Sequence, residues 1–196
     1  MHFKTIQKGF TLIEVLVAVA LFTIVVTVSV GALLVILDSN RKAQNISNTI
    51  NNAFFSFETI TRLMRTGVSY HCGSSGSITS PRDCPSGDTE AYFTDDRGQF
   101  VHITFDTSTA TGTIMEEIDV DGASNGVSFG PEYPLTADDF DVEYLVFTIT
   151  GSETVSGGDR NQPLTTVVLD GITNKGKKWE SELRLQSTVA QRMLDL

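Results

Sequence analysis

A long apolar segment near the N-terminus places the strongest limit on what this 196-residue chain can fold into. Residues 10–37 contain 22 apolar residues out of 28, and residues 15–37 carry no charged side chain. As a helix, those 23 uncharged residues would extend about 35 Å, enough to cross the roughly 30 Å hydrocarbon core of a bilayer. The segment is too long for the apolar region of a cleaved secretory signal, so we predict a membrane helix.

The rest of the chain is polar, and its charge is unevenly distributed. Residues 38–66 carry 4 Lys or Arg against 2 Asp or Glu, whereas residues 67–196 carry 8 against 21, a net charge of −13. A surface this acidic repels the phosphate backbone, which argues against direct nucleic-acid binding. The chain therefore divides into an apolar anchor, a mildly basic stalk and an acidic head.

Glu14 is the one charged residue inside the apolar segment. A carboxylate in a membrane helix is energetically expensive, and such a residue is by default a candidate for function. Its position near the start of the segment also allows a simpler interpretation, in which the side chain reaches water at the membrane edge and needs no partner. The residues that precede Glu14 favour the functional interpretation.

Those residues resemble the processing site of type IV prepilins and type II secretion pseudopilins. The resemblance rests on Lys8-Gly9-Phe10-Thr11-Leu12-Ile13-Glu14, on the short leader 1–9 with its two lysines, and on the apolar run that follows. It implies that a prepilin peptidase cuts between Gly9 and Phe10 on the cytoplasmic side, with Lys8 in its recognition sequence, and methylates the new Phe10 amine. It also implies that Glu14 directs assembly by pairing with the amine of a neighbouring subunit.

The resemblance further implies a structural subunit rather than an enzyme, without a cofactor. It would be a minor pilin or pseudopilin, assembled into or at the tip of a type IV pilus or a type II secretion pseudopilus. Its expected partners are other such subunits through the N-terminal helix, the prepilin peptidase, the inner-membrane assembly platform and membrane lipid. The expected location is the inner membrane, with the N-terminus inside and the head in the periplasm or outside the cell, and then the filament. The alternative is an adhesive or substrate-recognition module displayed by such a filament.

Two features suit a large minor subunit. Residues 183–192 are similar to the last strand of the J-type subunits of type II secretion and of the W-type minor pilins. A mature chain of 187 residues, left when a nine-residue leader is removed from 196, also suits these subunits better than a compact major pilin.

We predict one helix over residues 10–66. Many pilins have a proline partway along the apolar helix; this segment has none, and Gly31 stands about where the break is expected. Gly31 is interpreted either as a softer hinge or as a small residue for close helix packing. Further on, apolar residues share one helical face, which we expect to dock on the head's own sheet rather than to form a coiled coil. They are Ala43, Ile46, Ile50, Ala53, Phe57, Ile60 and Met64.

The head begins after Gly67, where the apolar period changes to that of strands. Candidate strands cover residues 99–107, 113–120, 141–150, 165–172 and 183–189, with a hairpin turn at 174–177. The fold class is therefore α+β, with a long helix packed on one antiparallel sheet of five to seven strands, and the resemblance implies that this is the pilin fold. The predicted segments are the leader 1–9, the assembly helix 10–37, its amphipathic continuation 38–66 and the head 67–196.

Cys72 and Cys84 bracket a Ser/Gly-rich loop. In an exported head the compartment is oxidising, so we predict a disulfide between them. The alternative is a metal site with His71, but the spacing is not that of a zinc finger.

The remaining polar residues suggest no catalytic or metal site. Residues 119–125 resemble part of a calcium loop but lack the third early acid and the closing Glu of an EF-hand, so we predict a polar turn there. Residues 138–141 are interpreted as a solvated turn and His102 as a surface residue of a strand. No catalytic triad, phosphate-binding loop or set of metal ligands is recognisable. Four aromatic residues are assigned to the core: Phe54, Phe55, Phe57 and Trp179.

Overall fold

The computed structural model describes residues 9–119, 129–153 and 161–192. The chain is α+β, with one long N-terminal helix followed by antiparallel β-sheets, as the sequence predicts. Contacts between residues divide it into two compact units, one ending at Gln44 and the other beginning at Asn45.

Helix α1 (Leu12–Thr66) is continuous over 55 residues. It ends at Gly67, whose N–H donates to the Leu63 carbonyl at 2.9 Å. A side chain at this position would clash, since a Cβ on Gly67 would lie 2.7 Å from the ring of Phe93. Glycine therefore allows the head to pack closely against the end of the helix.

Nine strands are present among the described residues, and they form two sheets rather than the single expected sheet. The strands are β1 (Val68–Cys72), β2 (Cys84–Asp88), β3 (Glu90–Thr94), β4 (Phe100–Asp106), β5 (Thr113–Ile118), β6 (Tyr133–Pro134), β7 (Phe140–Thr150), β8 (Leu164–Thr173) and β9 (Ser181–Ala190). The first sheet has the order β1-β3-β4-β5-β6, and the second has the order β2-β7-β8-β9. All strand pairs are antiparallel.

A single hydrophobic cluster joins both sheets to the second half of the helix. Ala53, Phe57, Ile60 and Met64 of α1 are buried in it, so this part of the apolar stripe docks on the head. The strands contribute alternate residues to this cluster, a periodicity that the sequence shows on the segments of β4 and β9. Buried strand residues include Val101, Ile103, Leu145, Phe147, Ile149, Val167 and Leu169.

Three of the four aromatic residues assigned to the core lie elsewhere. Phe54 and Phe55 are exposed, at 50% and 71% of their surface, and Trp179 is only half-buried. Phe57 alone is in the core. The reason is helical geometry, because residue 55 falls on the face of α1 opposite the buried stripe and residue 54 falls on its flank.

Two polar side chains share the buried stripe, which hydrophobic spacing alone does not reveal. Thr49 donates a hydrogen bond to Asp139 at 3.0 Å, and Ser56 donates one to the carbonyl of Leu135. Both are buried, and both are satisfied in the head, so they add directional contacts to an otherwise apolar interface.

The interpretation of residues 138–141 as a solvated turn holds only in part: residues 138 and 139 form a turn with Asp138 exposed, whereas Phe140 and Asp141 are buried at the start of β7. Asp141 is the second residue of β7 and is buried, and it accepts hydrogen bonds from the Gly112 N–H and from Lys175. Lys175 lies in the connection between β8 and β9, where the expected hairpin turn is present. The carboxylate is therefore a structural acceptor that ties this connection to the start of β7.

Candidate functional site

The predicted cleavage site lies just before the helix. Lys8 and the rest of the leader fall outside the described residues, whereas Gly9 and Phe10 are exposed and precede α1. Among the described residues, a Cβ built on Gly9 would meet nothing within 4 Å, so none of them covers this position. An exposed, non-helical peptide bond is accessible to a protease, and α1 begins only at Leu12.

Thr11 and Glu14 together cap the first turn of the helix. The Glu14 N–H donates to Thr11 Oγ1 at 3.3 Å, and the Thr11 N–H donates to Glu14 Oε2 at 3.4 Å. This reciprocal pair is a capping box, which satisfies two backbone donors that the helix itself leaves free. The Thr-x-x-Glu spacing is visible in the sequence, so this local role of Glu14 could have been predicted.

The surroundings of Glu14 are otherwise apolar. It lies beside a shallow hollow of about 410 Å³ on the surface of the helix, lined also by Phe10, Val15, Ala18, Val19 and Phe22. The hydrogen bonds of its carboxylate are with neutral groups of Thr11. Such contacts do not balance a negative charge in a low-dielectric setting.

The first half of α1 exposes its apolar side chains on all sides. Among the large apolar residues from Phe10 to Leu37, the exposed fraction runs from 40% at Val26 to 84% at Phe10. Of the described residues, α1 is the one helix long and apolar enough to cross a membrane, with a mean hydropathy of 2.7 in its most apolar window. A surface this apolar needs lipid or other helices to cover it.

Residues 4–30 match the prokaryotic N-terminal methylation motif. This motif marks type IV prepilin-like proteins, and the long N-terminal apolar helix of the chain fits that family. The family that this motif marks is structural rather than enzymatic. The motif supports a processed subunit that is similar to type IV pilins and pseudopilins. The single N-terminal apolar helix fits a membrane-anchored pilin-like protein. No curated protein and no solved structure matches the chain.

The helix runs through Gly31 without a break. A Cβ at this position would meet nothing within 4 Å, so the part of the chain that the structure describes gives no packing reason for the glycine. Both interpretations of Gly31, as a hinge and as a small residue for close helix packing, stay predictions.

The head contains the predicted disulfide. Cys72 and Cys84 are joined, with their Cα atoms 5.7 Å apart. Cys72 ends β1 of the first sheet and Cys84 begins β2 of the second, so the bond links the two sheets at their edges. His71, the alternative metal ligand, instead lies with Nδ1 2.7 Å from the Ser80 carbonyl, which fixes that nitrogen as the donor.

The acidic loop at 119–125 can be described only at its first residue. Asp119 is buried and its backbone N–H donates to the Phe100 carbonyl at 2.8 Å, while residues 120–125 lie outside the described residues. Within residues 9–119, 129–153 and 161–192, no three His, Cys, Asp or Glu side chains are grouped as metal ligands.

His102 is not the surface residue that the sequence suggests. It is only 8% exposed, and its ring stacks on that of Tyr92 with centroids 4.1 Å apart and planes within 2°. Its Nδ1 lies 2.6 Å from Glu117 Oε2, and Phe129 covers it with a centroid distance of 5.5 Å. Strand alternation correctly placed His102 on the face of β4 that points away from the core. It could not show that Phe129 and Tyr92 cover His102 on that outer face.

Tyr92 completes this polar cluster. Its hydroxyl donates to Glu90 Oε2 at 3.0 Å. Burial, and then the neighbouring negative charge of Glu90, raises the pKa of the Tyr92 phenol above its ordinary value. The phenol therefore stays neutral and remains a hydrogen-bond donor.

Proposed function

We propose that this protein is a minor pilin or pseudopilin, assembled into or at the tip of a type IV pilus or a type II secretion pseudopilus. The observation that carries the proposal is the methylation motif at residues 4–30, joined to a helix whose first half exposes apolar side chains on every side. Lipid covers this surface before assembly, and the helices of other subunits cover it afterwards.

Processing removes the leader 1–9. The prepilin peptidase cuts between Gly9 and Phe10 and methylates the Phe10 amine. The exposure of both residues and the start of α1 two residues later support this site. Cutting there places a positively charged amine at the tip of an apolar helix, where it needs a negative partner.

Glu14 of a neighbouring subunit provides that partner. Within one chain the Glu14 carboxylate bonds the backbone N–H and hydroxyl of Thr11, which leaves its charge unbalanced. An incoming amine would neutralise it, and the pair would set the axial register between helices whose apolar contacts specify no register of their own.

Peptidase action from the cytoplasm places the N-terminus inside and the head in the periplasm or outside the cell. The disulfide between Cys72 and Cys84 fits an oxidising compartment. The similarity of residues 183–192 to the last strand of J-type and W-type subunits supports a minor position.

The test is N-terminal sequencing of the membrane-bound protein in cells that express the matching prepilin peptidase. We expect the mature chain to start at methyl-Phe10, and Gly9→Leu to keep the intact leader. Gly31→Ala is the matched control, because a Cβ at Gly31 also meets nothing within 4 Å but lies within the helix. Wild-type protein that retains Met1 alongside a processed reference prepilin would refute the proposal.

A further inference from the structure

We propose that residues 38–48 form a stalk hinge, a stretch of α1 that unwinds locally between the apolar segment and the part of the helix that docks on the head. The stalk hinge begins directly after the apolar run that ends at Leu37, and it stops just before Thr49, the first buried residue of the helix. The boundary between the two compact units, after Gln44, falls within it. The helix is continuous through this stretch, so the stalk hinge is a place that opens easily rather than a break.

The described part of the head covers little of the stalk hinge. Ten of the eleven residues from 38 to 48 are exposed, and Ile46 is half-buried. Ala43, which begins the apolar stripe of the stalk, is exposed as well, so the stripe docks only further along the helix. Thr49 is buried and donates a hydrogen bond to Asp139 at 3.0 Å. Tertiary packing, which supplies most of the stability of a helix in a protein, therefore contributes little before Thr49.

The residue types of the stalk hinge also favour the helix only weakly. Six of its eleven residues are Asp, Asn or Ser, whose side chains compete for backbone hydrogen bonds and are less favourable than alanine within a helix. They are Asp38, Ser39, Asn40, Asn45, Ser47 and Asn48. A helix shorter than about 12–15 residues is at best marginally stable by itself in water. The stalk hinge is therefore held in the helix mainly by the turns on either side of it.

The helix on each side has a support that the stalk hinge lacks. Residues 15–37 carry no charged side chain, and in lipid or a micelle their backbone groups find partners only within the helix. Phe57, Ile60 and Met64 of the docked part lie in the hydrophobic core of the head. Opening the helix therefore costs least at the stalk hinge, where water hydrogen-bonds the freed N–H and C=O groups. Such opening changes the direction of the chain without disturbing the core.

Limited trypsin digestion of the full chain in detergent micelles tests the stalk hinge, because α1 offers matched cleavage sites. Arg41 and Lys42 lie in the stalk hinge, Arg62 lies in the docked part, and all three side chains are exposed. A protease cuts a helix only where the chain opens, so the cleavage rate follows the population of the open form. We expect cleavage after Arg41 or Lys42 to be at least about tenfold faster than cleavage after Arg62, measured by mass spectrometry of the fragments.

A variant with four alanines checks that the stability of the helix sets this rate. Ser39→Ala, Asn40→Ala, Asn45→Ala and Ser47→Ala together should slow cleavage in the stalk hinge about tenfold, because alanine favours the helix. The control variant combines Asn51→Ala with Asn52→Ala. Both of these residues are exposed on the part of α1 that docks on the head, so this variant should keep the wild-type rate.

Amide hydrogen exchange in the same micelles gives a second measurement that needs no access for a protease. The amides of residues 42–48 should exchange at least about tenfold faster than those of residues 53–64. Equal exchange in the two ranges, or a cleavage rate that the four alanines leave unchanged, would overturn the stalk hinge. The stalk hinge requires neither processing nor assembly, so these outcomes are independent of whether the mature chain starts at Phe10.

Discussion

Glu14 has two roles that substitution can separate, namely the capping box within its own chain and the proposed charge pair with a neighbour. Glu14→Gln removes the charge but keeps the box, since glutamine at this position also reaches the backbone N–H of Thr11. Thr11→Ala does the opposite, because it removes the hydroxyl to which the Glu14 N–H donates and leaves the carboxylate intact. The two variants therefore assign the assembly role to charge or to helix capping.

The two effects differ in size. A helix cap contributes about 1 kcal/mol, and the distances of 3.3 and 3.4 Å here are at the long end for hydrogen bonds. A charge pair about 4 Å apart at an effective dielectric constant near 20 contributes about 4 kcal/mol, roughly a thousandfold in association. We therefore expect Glu14→Gln to assemble as poorly as Glu14→Val, and Thr11→Ala to assemble nearly as well as the wild type.

The assay is immunoblotting of sheared filaments against the membrane fraction, with processing by the prepilin peptidase confirmed for each variant. All three variants should remain membrane-inserted, since residues 15–37 are unchanged. Wild-type incorporation of Glu14→Gln would refute the charge pair. Loss of assembly in Thr11→Ala equal to that in Glu14→Gln would assign the effect to the start of the helix instead.

Two further predictions concern the head. Replacing both Cys72 and Cys84 with Ser should destabilise the head by about 3 kcal/mol, since the disulfide spans 12 positions. Thermal melting followed by circular dichroism should show a lower midpoint for this variant. Reductant should lower the midpoint of the wild type only. Equal midpoints with and without reductant would contradict this. Burial raises the pKa of Asp141, but hydrogen bonds from Lys175 and the Gly112 N–H outweigh it and hold that pKa below its ordinary value. The stability contributed by this carboxylate is then complete above the unfolded pKa, near pH 4, and is lost as the pH falls through the folded value. Asp141→Asn should weaken the acid dependence of the urea midpoint below about pH 4, and an unchanged acid limb would refute it.

Local pattern predicted the long strands and the helix. Strand alternation located β4 and β9, and enrichment in aromatic and β-branched residues located β7; with the further candidates β5 and β8, each was predicted to within a few residues. It did not predict β1, β2 and β3, because these five-residue strands are too short to show a period and β2 contains both Pro85 and Gly87. Strand order is also not a local property, which is why one sheet was expected where there are two.

The residues of the candidate site also divide into those that a local motif identifies and those that depend on distant partners. Gly9, Phe10 and Glu14 belong to one contiguous motif, so their chemistry can be recognised without a fold. Thr49, Ser56 and His102, by contrast, have partners between 15 and 90 positions away. Their burial and hydrogen bonding therefore cannot be inferred from neighbouring residues.

The sequence by itself determined the apolar helix, the processing motif and the segregation of acidic charge into the head, because each depends on residue type and spacing along one stretch of chain. Tertiary structure alone decided that two sheets share one core, that a disulfide joins their edges, and that His102 lies buried between Glu90 and Glu117. These features depend on which distant strands become neighbours. That pairing is selected by the total burial and hydrogen bonding of the folded head, which no single segment specifies.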